Sequence, residues 1–396
     1  MADLASKIGP VSTDFTSVNT NVAVDGVTYN QGYSMTGQAP AVGLIPDIAD
    51  MGEGVHYTLS GYDYAYGTTN PMPRSIRTVC DGDKFAMFHS TVSANGSYGF
   101  MLYIDGKPAS LTPYAATNSP TSFSTVLFPS AKPRLLEIRT ANGIAAIYTQ
   151  KQYNLWKPVP RKGPRVLVIG DSYASNFGAT NAMQSIYWDI GPLIGSEDVW
   201  VDHVGGSGFG VHSTGGDGQT SSTIPSRYLD RVTSSFGVAP QLGAWTLEAI
   251  KPDVLVIHGG GTNDKYKGRS NAQVIADMIT VIDTARRKLP NAKIIVTEGF
   301  APPMFFSTFN PDYIAIRQGV QAVRKDVYYV DVATTKPWIQ GTGYSGALTN
   351  VGNSDLYIGT DGAHPVNAGH LYIRHRMAAK IRTILADTGA LKGTLV

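Results

Sequence analysis

Five short apolar runs alternate with helical patterns in the second half of the sequence. Each run is almost continuously apolar, which is typical of parallel strands covered on both faces. The runs are 165–169, 199–203, 253–258, 293–297 and 327–331. Helical spacing of apolar residues falls near 183–190, 274–285, 313–324 and 367–385. The alternation predicts a three-layer, doubly wound α/β domain with its ligand site beyond the carboxyl ends of the strands.

Residues 1–157 have a different rhythm, with short apolar or aromatic runs between Gly-containing turns. Asn-Gly or Asp-Gly pairs occur at 95–96, 105–106 and 142–143, and they supply the positive φ angles of tight hairpin turns. The segment 134–149 is predicted to be a hairpin around Asn142-Gly143. The pattern indicates an all-β sandwich or jelly roll, and the less regular first 40 residues are predicted to be an extended arm or added strands.

A Pro-rich and basic segment, 157–164, indicates a linker between the two regions. The predicted domains are therefore 1–157 and 158–396. A chain of 396 residues is long enough for two such domains, each with its own core.

Composition narrows the function classes. The net charge is +2 without a long basic run, so no nucleic-acid partner is expected. Cys80 is the single cysteine, which excludes an intrachain disulfide and a cysteine-based metal cluster. The first residues lack the apolar core of a signal peptide. No apolar stretch of about 18 residues occurs, so no membrane span is expected.

Polar and glycine-rich segments follow the predicted strands at the edge where a ligand would bind. They are Gly-Asp-Ser at 170–172, Gly-Gly-Ser-Gly-Phe-Gly at 205–210, Gly-Gly-Gly-Thr-Asn-Asp at 259–264 and Asp-Gly-Ala-His-Pro at 361–365. Ester hydrolysis needs a nucleophilic hydroxyl, a histidine that takes its proton and a carboxylate that orients the histidine. Ser172, His364 and Asp361 supply these three groups.

The spacing of these residues suggests their roles. Asp361 precedes His364 by three residues, so a turn can direct its carboxylate at Nδ1 and leave Nε2 for Ser172. The predicted donors to the oxyanion are the N–H groups of Ser172 and Gly208 and the side-chain amide of Asn263. Asp171 and Asp264 are interpreted as organisers of their turns.

The remaining histidines receive lesser roles. His258 ends a predicted strand and is an alternative base, while His203, His212 and His370 are interpreted as surface or packing residues. No cluster has the spacing of metal ligands, so no metal site is expected.

The four segments resemble, in order, the sequence blocks of the SGNH (GDSL) hydrolase superfamily. The resemblance covers about 165–388 and rests on Gly170-Asp171-Ser172, the glycine at 208, Gly261-x-Asn263-Asp264 and Asp361-x-x-His364. It implies a flavodoxin-like fold, a Ser-His-Asp triad and no metal or organic cofactor. One position departs from the pattern, because Tyr173 stands where the superfamily's namesake motif has leucine.

A β-sandwich before such a domain is similar to the arrangement in several carbohydrate esterase families. That resemblance implies an acetylated polysaccharide or other glycan as substrate, and a carbohydrate-binding or accessory role for residues 1–157. The loops near the site are polar and contain aromatic residues that suit sugar rings. Trp338 and Tyr344, with Phe305 and Phe306, are the predicted contacts. The predicted function is that of a carbohydrate O-acetylesterase.

Two other classes remain open. One is a structural or receptor-binding protein of a cell or bacteriophage surface with an accessory esterase domain, which the abundance of glycine, serine and tyrosine fits. The other is a small-ester hydrolase, thioesterase or acyltransferase on the same fold. The expected location is extracellular or on a virion surface, as a homo-oligomer or attached to an assembly such as a virion tail.

Overall fold

The computed structural model describes most of the second half of the chain and separate segments of the first. The described residues are 12–22, 29–34, 55–56, 74–90, 99–110, 112–115, 123–140, 143–150, 152–156, 162–174, 177–180, 184–187, 189–212, 227–233, 246–300, 306–333, 337–387 and 394–395. They fall into two units, one with the described residues up to 156 and the other with those from 162 onward.

The first unit is built from β-strands. They are β1 (Ser17–Val22), β2 (Tyr29–Ser34), β3 (Val55–His56), β4 (Arg74–Cys80), β5 (Lys84–Ser90), β6 (Gly99–Ile104), β7 (Lys107–Pro108), β8 (Tyr114–Ala115), β9 (Phe123–Leu127), β10 (Arg134–Thr140), β11 (Gly143–Gln150) and β12 (Leu155–Trp156). One antiparallel sheet has the order β1-β9-β5-β11-β2. The other has the order β12-β4-β10-β6-β7, with β3 beside β4 and β8 beside β6.

Apolar side chains from both sheets form the core of this unit. Phe85 and Met87 of β5 and Leu136 and Ile138 of β10 are fully buried, as expected for strands that turn every second residue inward. They share one cluster. The predicted all-β organisation is thus confirmed, while the jelly-roll topology stays a prediction.

Two of the predicted turn signals do not join paired strands. The predicted hairpin around Asn142-Gly143 is wrong, since β10 pairs with β4 and β6 in one sheet while β11 pairs with β2 and β5 in the other. Likewise β5 and β6, on either side of 95–96, belong to different sheets. At 105–106 the signal is right, because Asp105 and Gly106 have φ angles of 49° and 80° and connect paired β6 and β7.

The second unit alternates strands with helices. Its strands are β13 (Val166–Gly170), β14 (Val199–His203), β15 (Val254–Gly260), β16 (Lys293–Glu298), β17 (Tyr328–Val330) and β18 (Thr394–Leu395). Its helices are α1 (Ile190–Ile194), α2 (Tyr228–Thr233), α3 (Leu247–Ile250), α4 (Thr262–Tyr266), α5 (Asn271–Lys288), α6 (Phe306–Val323), α7 (Ser354–Tyr357) and α8 (Asn367–Ala386).

All strand pairs in the sheet of the second unit are parallel, in the order β14-β13-β15-β16-β17-β18. When the first five strands of this sheet are numbered 1 to 5 along the chain, their order across the sheet is 2-1-3-4-5, as in flavodoxin. In this arrangement ligands bind beside the first strand, where the order reverses. All five predicted strands are present within two residues of their expected bounds. The predicted three-layer α/β fold is confirmed.

Three of the four predicted helices correspond to α5, α6 and α8. Of the helix expected near 183–190, the described residues 184–187 form no α-helix, 183 and 188 lie outside the described residues, and α1 begins at Ile190. Pro192 lies in the first turn of α1, where its missing N–H removes no helical hydrogen bond. In the described part of the chain, no helix combines the length and apolarity needed to cross a bilayer.

Candidate active site

Ser172 lies in a tight turn at the carboxyl end of β13. The strand is fully buried, and Ser172 is half-buried just beyond it. Gly170 permits the turn, since a Cβ there would lie 2.3 Å from the Cβ of Ala174. The N–H of Tyr173 donates to Asp171 Oδ1 at 2.9 Å, and the N–H of Ala174 donates to the Asp171 carbonyl at 3.1 Å. These bonds fix the backbone on both sides of the hydroxyl.

Asp361 and His364 lie in a tight turn before α8. Asp361 Oδ1 accepts the N–H groups of Ala363 and His364, each at 3.0 Å, and Oδ2 lies 2.6 Å from His364 Nδ1. Partial burial alone would raise the pKa of Asp361, but the hydrogen bonds from His364 and Ala363 hold that pKa well below its ordinary value. The carboxylate is therefore ionised when it faces the imidazole.

The structure brings the three predicted catalytic residues together. His364 Nε2 lies 3.0 Å from Ser172 Oγ, although the two residues are 192 positions apart. The Phe177 ring stacks on the imidazole of His364, with the two ring centroids 4.9 Å apart. A proton could thus pass from the hydroxyl to the ring while the carboxylate holds the ring in place. The assignment of these catalytic roles stays a prediction.

Two of the predicted oxyanion donors have partners within the protein. Asn263 Nδ2 lies 3.2 Å from Asp171 Oδ2 and 2.9 Å from the Ser207 carbonyl, and it donates to both. The N–H of Gly208 donates to the Val211 carbonyl at 3.0 Å. To donate to an oxyanion, either group must share its N–H between two acceptors or break its present hydrogen bond. The roles of Ser172, Gly208 and Asn263 in an oxyanion hole stay predictions.

Asp171 is an organiser, as the sequence predicted. Its side chain is buried and accepts hydrogen bonds from Tyr173 and Asn263, which link the nucleophile turn to α4. Burial raises the pKa of Asp171 to about 7, against the opposing effect of the Tyr173 N–H. Gly259 leaves room for this carboxyl, since a Cβ there would lie 2.6 Å from Oδ2.

The glycine loop, residues 205–212, is held from outside by charged side chains. Asp264 Oδ2 and Oδ1 accept the N–H groups of Phe209 and Gly210, each at 2.9 Å. Lys267 Nζ donates to the Gly206 carbonyl at 3.1 Å. The organising role predicted for Asp264 is confirmed. Gly208 packs so closely that a Cβ would lie 2.2 Å from Asp264 Oδ2.

Sequence reasoning missed Arg231, which connects three parts of the site. Its buried Nη2 donates to the Gly170 carbonyl at 3.0 Å and to Ser207 Oγ at 3.2 Å, while Nη1 lies 3.2 Å from Asp202 Oδ2. Arginine is suited to this task because its planar fork presents several fixed donors. A basic residue on an apolar face of α2 is the only signal the sequence carries for it.

A buried carboxyl also holds the loop after β17. Glu298 Oε2 accepts the N–H groups of Val332 and Ala333 at 3.2 and 3.3 Å, and Oε1 lies 2.8 Å from Arg317 Nε. Burial and the neighbouring Asp331 carboxyl raise the pKa of Glu298 to about 8.

The predicted glycan contacts are corrected in part. Trp338 is only 2% exposed and packs edge-on against Phe300, with Arg376 over its ring at 5.7 Å, so its faces are not open to a sugar. Tyr344 is partly buried and forms a short bridge with Ala347. Its predicted role stays a prediction. Phe305 and the side chain of Phe306 lie outside what the structure describes.

Three of the histidines considered in the sequence analysis are internal. His203, His258 and His370 are buried, and burial lowers the pKa of each, to about 3, 3 and 4 respectively. His258 Nδ1 lies 2.6 Å from the Tyr187 hydroxyl, an arrangement that suits packing rather than catalysis. Among the described residues, no group of three His, Cys, Asp or Glu side chains could hold a metal ion.

Comparison with known proteins shows the family of the chain. The sequence pattern of the GDSL-like lipase/acylhydrolase family matches residues 168–371, just over half of the chain. The chain belongs to the GDSL-like lipase/acylhydrolase family. A GDSL lipase of Mycobacterium tuberculosis is 29% identical over 140 residues, which are 34% of this chain and 54% of the lipase. The chain thus spans about half the length of that curated relative.

Solved structures with the same fold include enzymes that act on carbohydrates. A family two carbohydrate esterase from Cellvibrio japonicus is 18% identical with a TM-score of 0.59, covering 93% of this chain and 98% of the esterase. The acetyl xylan esterase of Butyrivibrio proteoclasticus is 16% identical with a TM-score of 0.55, covering 84% and 96%. The salicylyl acyltransferase SsfX3 of a tetracycline pathway is 14% identical with a TM-score of 0.54, covering 80% and 84%.

Proposed function

We propose that this member of the family is a serine esterase that removes O-acetyl groups from a polysaccharide or other glycan. The observation that carries the proposal is the hydrogen-bonded series at the end of β13. Ser172 Oγ lies 3.0 Å from His364 Nε2, and His364 Nδ1 lies 2.6 Å from Asp361 Oδ2. A serine activated in this way attacks ester carbonyls.

The proposed reaction has two steps. Ser172 Oγ bonds to the acetyl carbon while its proton passes to His364 Nε2. The bond from that carbon to the sugar oxygen breaks, and the sugar hydroxyl leaves with the proton. Water then attacks the acetyl-enzyme and gives its proton to His364. Acetate leaves, and Ser172 Oγ regains the proton. Asp361 keeps His364 in the required tautomer throughout.

Stabilisation of the oxyanion is proposed to come from the N–H groups of Ser172 and Gly208 and from the Asn263 amide. In the free enzyme Gly208 and Asn263 donate to nearby oxygens. Catalytic hydrogen bonds are often long or poorly aligned before substrate binds and shorten in the complex. Removing one such donor typically costs about 3–4 kcal/mol of transition-state stabilisation.

The acetylated glycan is proposed from two kinds of support. Carbohydrate esterases, an acetyl xylan esterase among them, have this fold over more than four-fifths of the chain. The polar, glycine-rich loops around the site also suit a sugar better than a long acyl chain. Residues 1–157 are proposed to be a carbohydrate-binding or accessory domain, and Tyr344 a sugar contact. The proposed location is outside the cell or on a virion surface, as a homo-oligomer or part of a larger assembly.

Acetate release from a panel of acetylated polysaccharides tests the proposal. We expect the wild-type protein to release acetate from at least one of them and the Ser172→Ala variant to release none above background. Ser196→Ala is the matched control, since Ser196 donates to the Pro164 carbonyl before β13 and β14 begin, at the opposite end of the strands from Ser172. Release at the wild-type rate by Ser172→Ala would overturn the mechanism.

An acyltransferase is the second candidate, because the acyltransferase SsfX3 has a similar fold. The two functions differ in what resolves the acyl-enzyme, water or another alcohol. Hydrolysis of p-nitrophenyl esters from acetyl to decanoyl, with and without an added sugar, separates them. We expect a sharp preference for acetyl and free acetate as the main product. A preference for long chains, or an acylated sugar as the main product, would favour the second candidate.

A further inference from the structure

Tyr173 follows the nucleophile and stands where the namesake motif of the superfamily has leucine. Its side chain is 5% exposed, and its ring stacks on Phe300 with centroids 4.9 Å apart and planes within 4°. Its hydroxyl donates to the carbonyl of Ala363. We infer that this hydroxyl makes Tyr173 a positioning residue for His364. The inference rests on the serine esterase function proposed above.

The contact matters because it fixes one particular peptide plane. The Ala363 carbonyl belongs to the same peptide as the His364 N–H, and that N–H donates to Asp361 Oδ1 at 3.0 Å. The peptide is therefore held at both polar ends, by Tyr173 and by Asp361. Rotation of this plane would change φ of His364 and move the imidazole, so the two bonds together set where Nε2 lies.

Tyr173 is itself attached to the turn that carries the nucleophile. Its N–H donates to Asp171 Oδ1 at 2.9 Å. One residue therefore links the backbone beside Ser172 to the backbone beside His364. The link therefore joins the two backbone segments that carry Ser172 and His364, whose Oγ and Nε2 atoms lie 3.0 Å apart. A leucine at position 173 could pack on Phe300 but could not form the link.

A purely structural reading is that a buried hydroxyl simply needs a partner. Tyr329 offers the comparison that separates the two readings. It is 4% exposed, and its hydroxyl also donates to a backbone carbonyl, that of Arg324 at 3.1 Å. Tyr329→Phe removes the same kind of hydrogen bond outside the proposed catalytic site.

The experiment compares Tyr173→Phe with Tyr329→Phe on p-nitrophenyl acetate. Small displacements of a catalytic group can cost up to about a hundredfold in rate, so we expect Tyr173→Phe to lower kcat by about tenfold to a hundredfold. KM should stay within about twofold, because the ring remains. Tyr329→Phe should keep the wild-type kcat, while both variants lower Tm to a similar extent. If Tyr173→Phe does not fold, Tyr173→Leu takes its place with the same expected loss of kcat.

A second measurement does not depend on turnover. The proton between His364 Nδ1 and Asp361 should give a low-field signal in proton NMR, identified by its loss in His364→Gln. We expect Tyr173→Phe to shift or broaden this signal and Tyr329→Phe to leave it unchanged.

The outcomes separate the two proposals. An active wild-type enzyme, with kcat and signal unchanged in Tyr173→Phe, overturns the positioning role alone. If the wild-type protein hydrolyses no ester but its signal responds to Tyr173→Phe, the esterase proposal fails and the positioning of His364 stands.

Discussion

The turn at 361–364 and the glycine loop at 205–212 both border the turn that carries Ser172, the proposed nucleophile, but they are held in place differently. In the turn, every hydrogen bond to the Asp361 carboxylate comes from a residue two or three positions away. In the glycine loop, the charged anchors Arg231, Asp264 and Lys267 lie on or after other elements, 24 to 61 positions distant.

This difference indicates where each part of the site is vulnerable. One carboxylate folds the turn and orients His364, while the Tyr173 hydroxyl links the turn to the backbone beside Ser172, so a change in that carboxylate should affect catalysis far more than stability. The loop depends on buried groups that also connect α2 and α4 to the sheet. A change in those groups should therefore affect catalysis and stability together.

The largest expected effect follows from Asp361→Asn. An amide can still accept a backbone N–H, but it favours the wrong tautomer of His364, which in a Ser-His-Asp triad costs about 10⁴-fold in kcat. We expect a loss of that order with little change in Tm, measured by ester hydrolysis and thermal unfolding.

Asp355→Asn is the control for this variant. Asp355 also accepts backbone N–H groups in a turn, those of Thr349 and Asn350, but it has no contact with His364. Equal losses of activity in the two variants would contradict the role given to Asp361.

Asp264→Asn should have an intermediate effect on both properties. An amide can accept only one of the two N–H groups that Asp264 binds, and its own N–H₂ would face the other. A buried donor left unpaired costs about 1–3 kcal/mol. We expect a decrease of that size in the free energy of unfolding by urea, and kcat lower by roughly tenfold to a hundredfold.

Asp283→Asn serves as the comparison, because Asp283 of α5 pairs with Arg324, which follows α6, and not with the glycine loop. Wild-type kcat in Asp264→Asn would show that the loop does not need its outside anchors.

The smallest effect on catalysis is expected at Glu298, which holds another loop from outside and is tested through stability alone. Its pKa is about 8 in the folded protein and near 4.5 when unfolded. Between these values only the folded state binds the proton, so stability decreases as pH rises. A glutamine at this position cannot titrate. We expect Tm to fall less between pH 5 and pH 8 in Glu298→Gln than in the wild type, by roughly 2–4 °C for each kcal/mol involved.

Glu248→Gln is the reference variant for the change of Tm with pH, since the Glu248 side chain is 50% exposed. The buried histidines and Asp171 titrate alike in all three proteins and cancel in the comparison. Identical slopes for Glu298→Gln and the wild type would refute the raised pKa.

The sequence predicted most of the second unit because its signals there are local. Buried strands are continuous apolar runs, and the spacing of Asp361 and His364 alone suggests their turn. In the first unit, Asn-Gly at 142–143 signals a local turn but not which strand pairs with which. Strands β10 and β11 lie in different sheets, and that choice depends on burial across the whole sandwich.

The sequence also did not reveal which of these side chains are exposed and which are buried. Trp338 resembles a sugar platform because aromatic residues in a polar loop suit both stacking and packing. Only its position under Phe300 and Arg376 shows that it packs. Arg231 was missed for the converse reason, since a basic residue among apolar neighbours does not reveal that its guanidinium lies against the carbonyl of Gly170.

The 192 positions between Ser172 and His364 also set when activity can arise during synthesis. At 5–20 residues per second, translation places the base roughly 10–40 s after the nucleophile. Helix α8, which begins three residues after His364, must then dock before the imidazole can reach the hydroxyl. Under the proposed mechanism, a growing chain therefore carries its serine without a base, and cannot attack esters, until nearly all of the α/β unit has emerged from the ribosome.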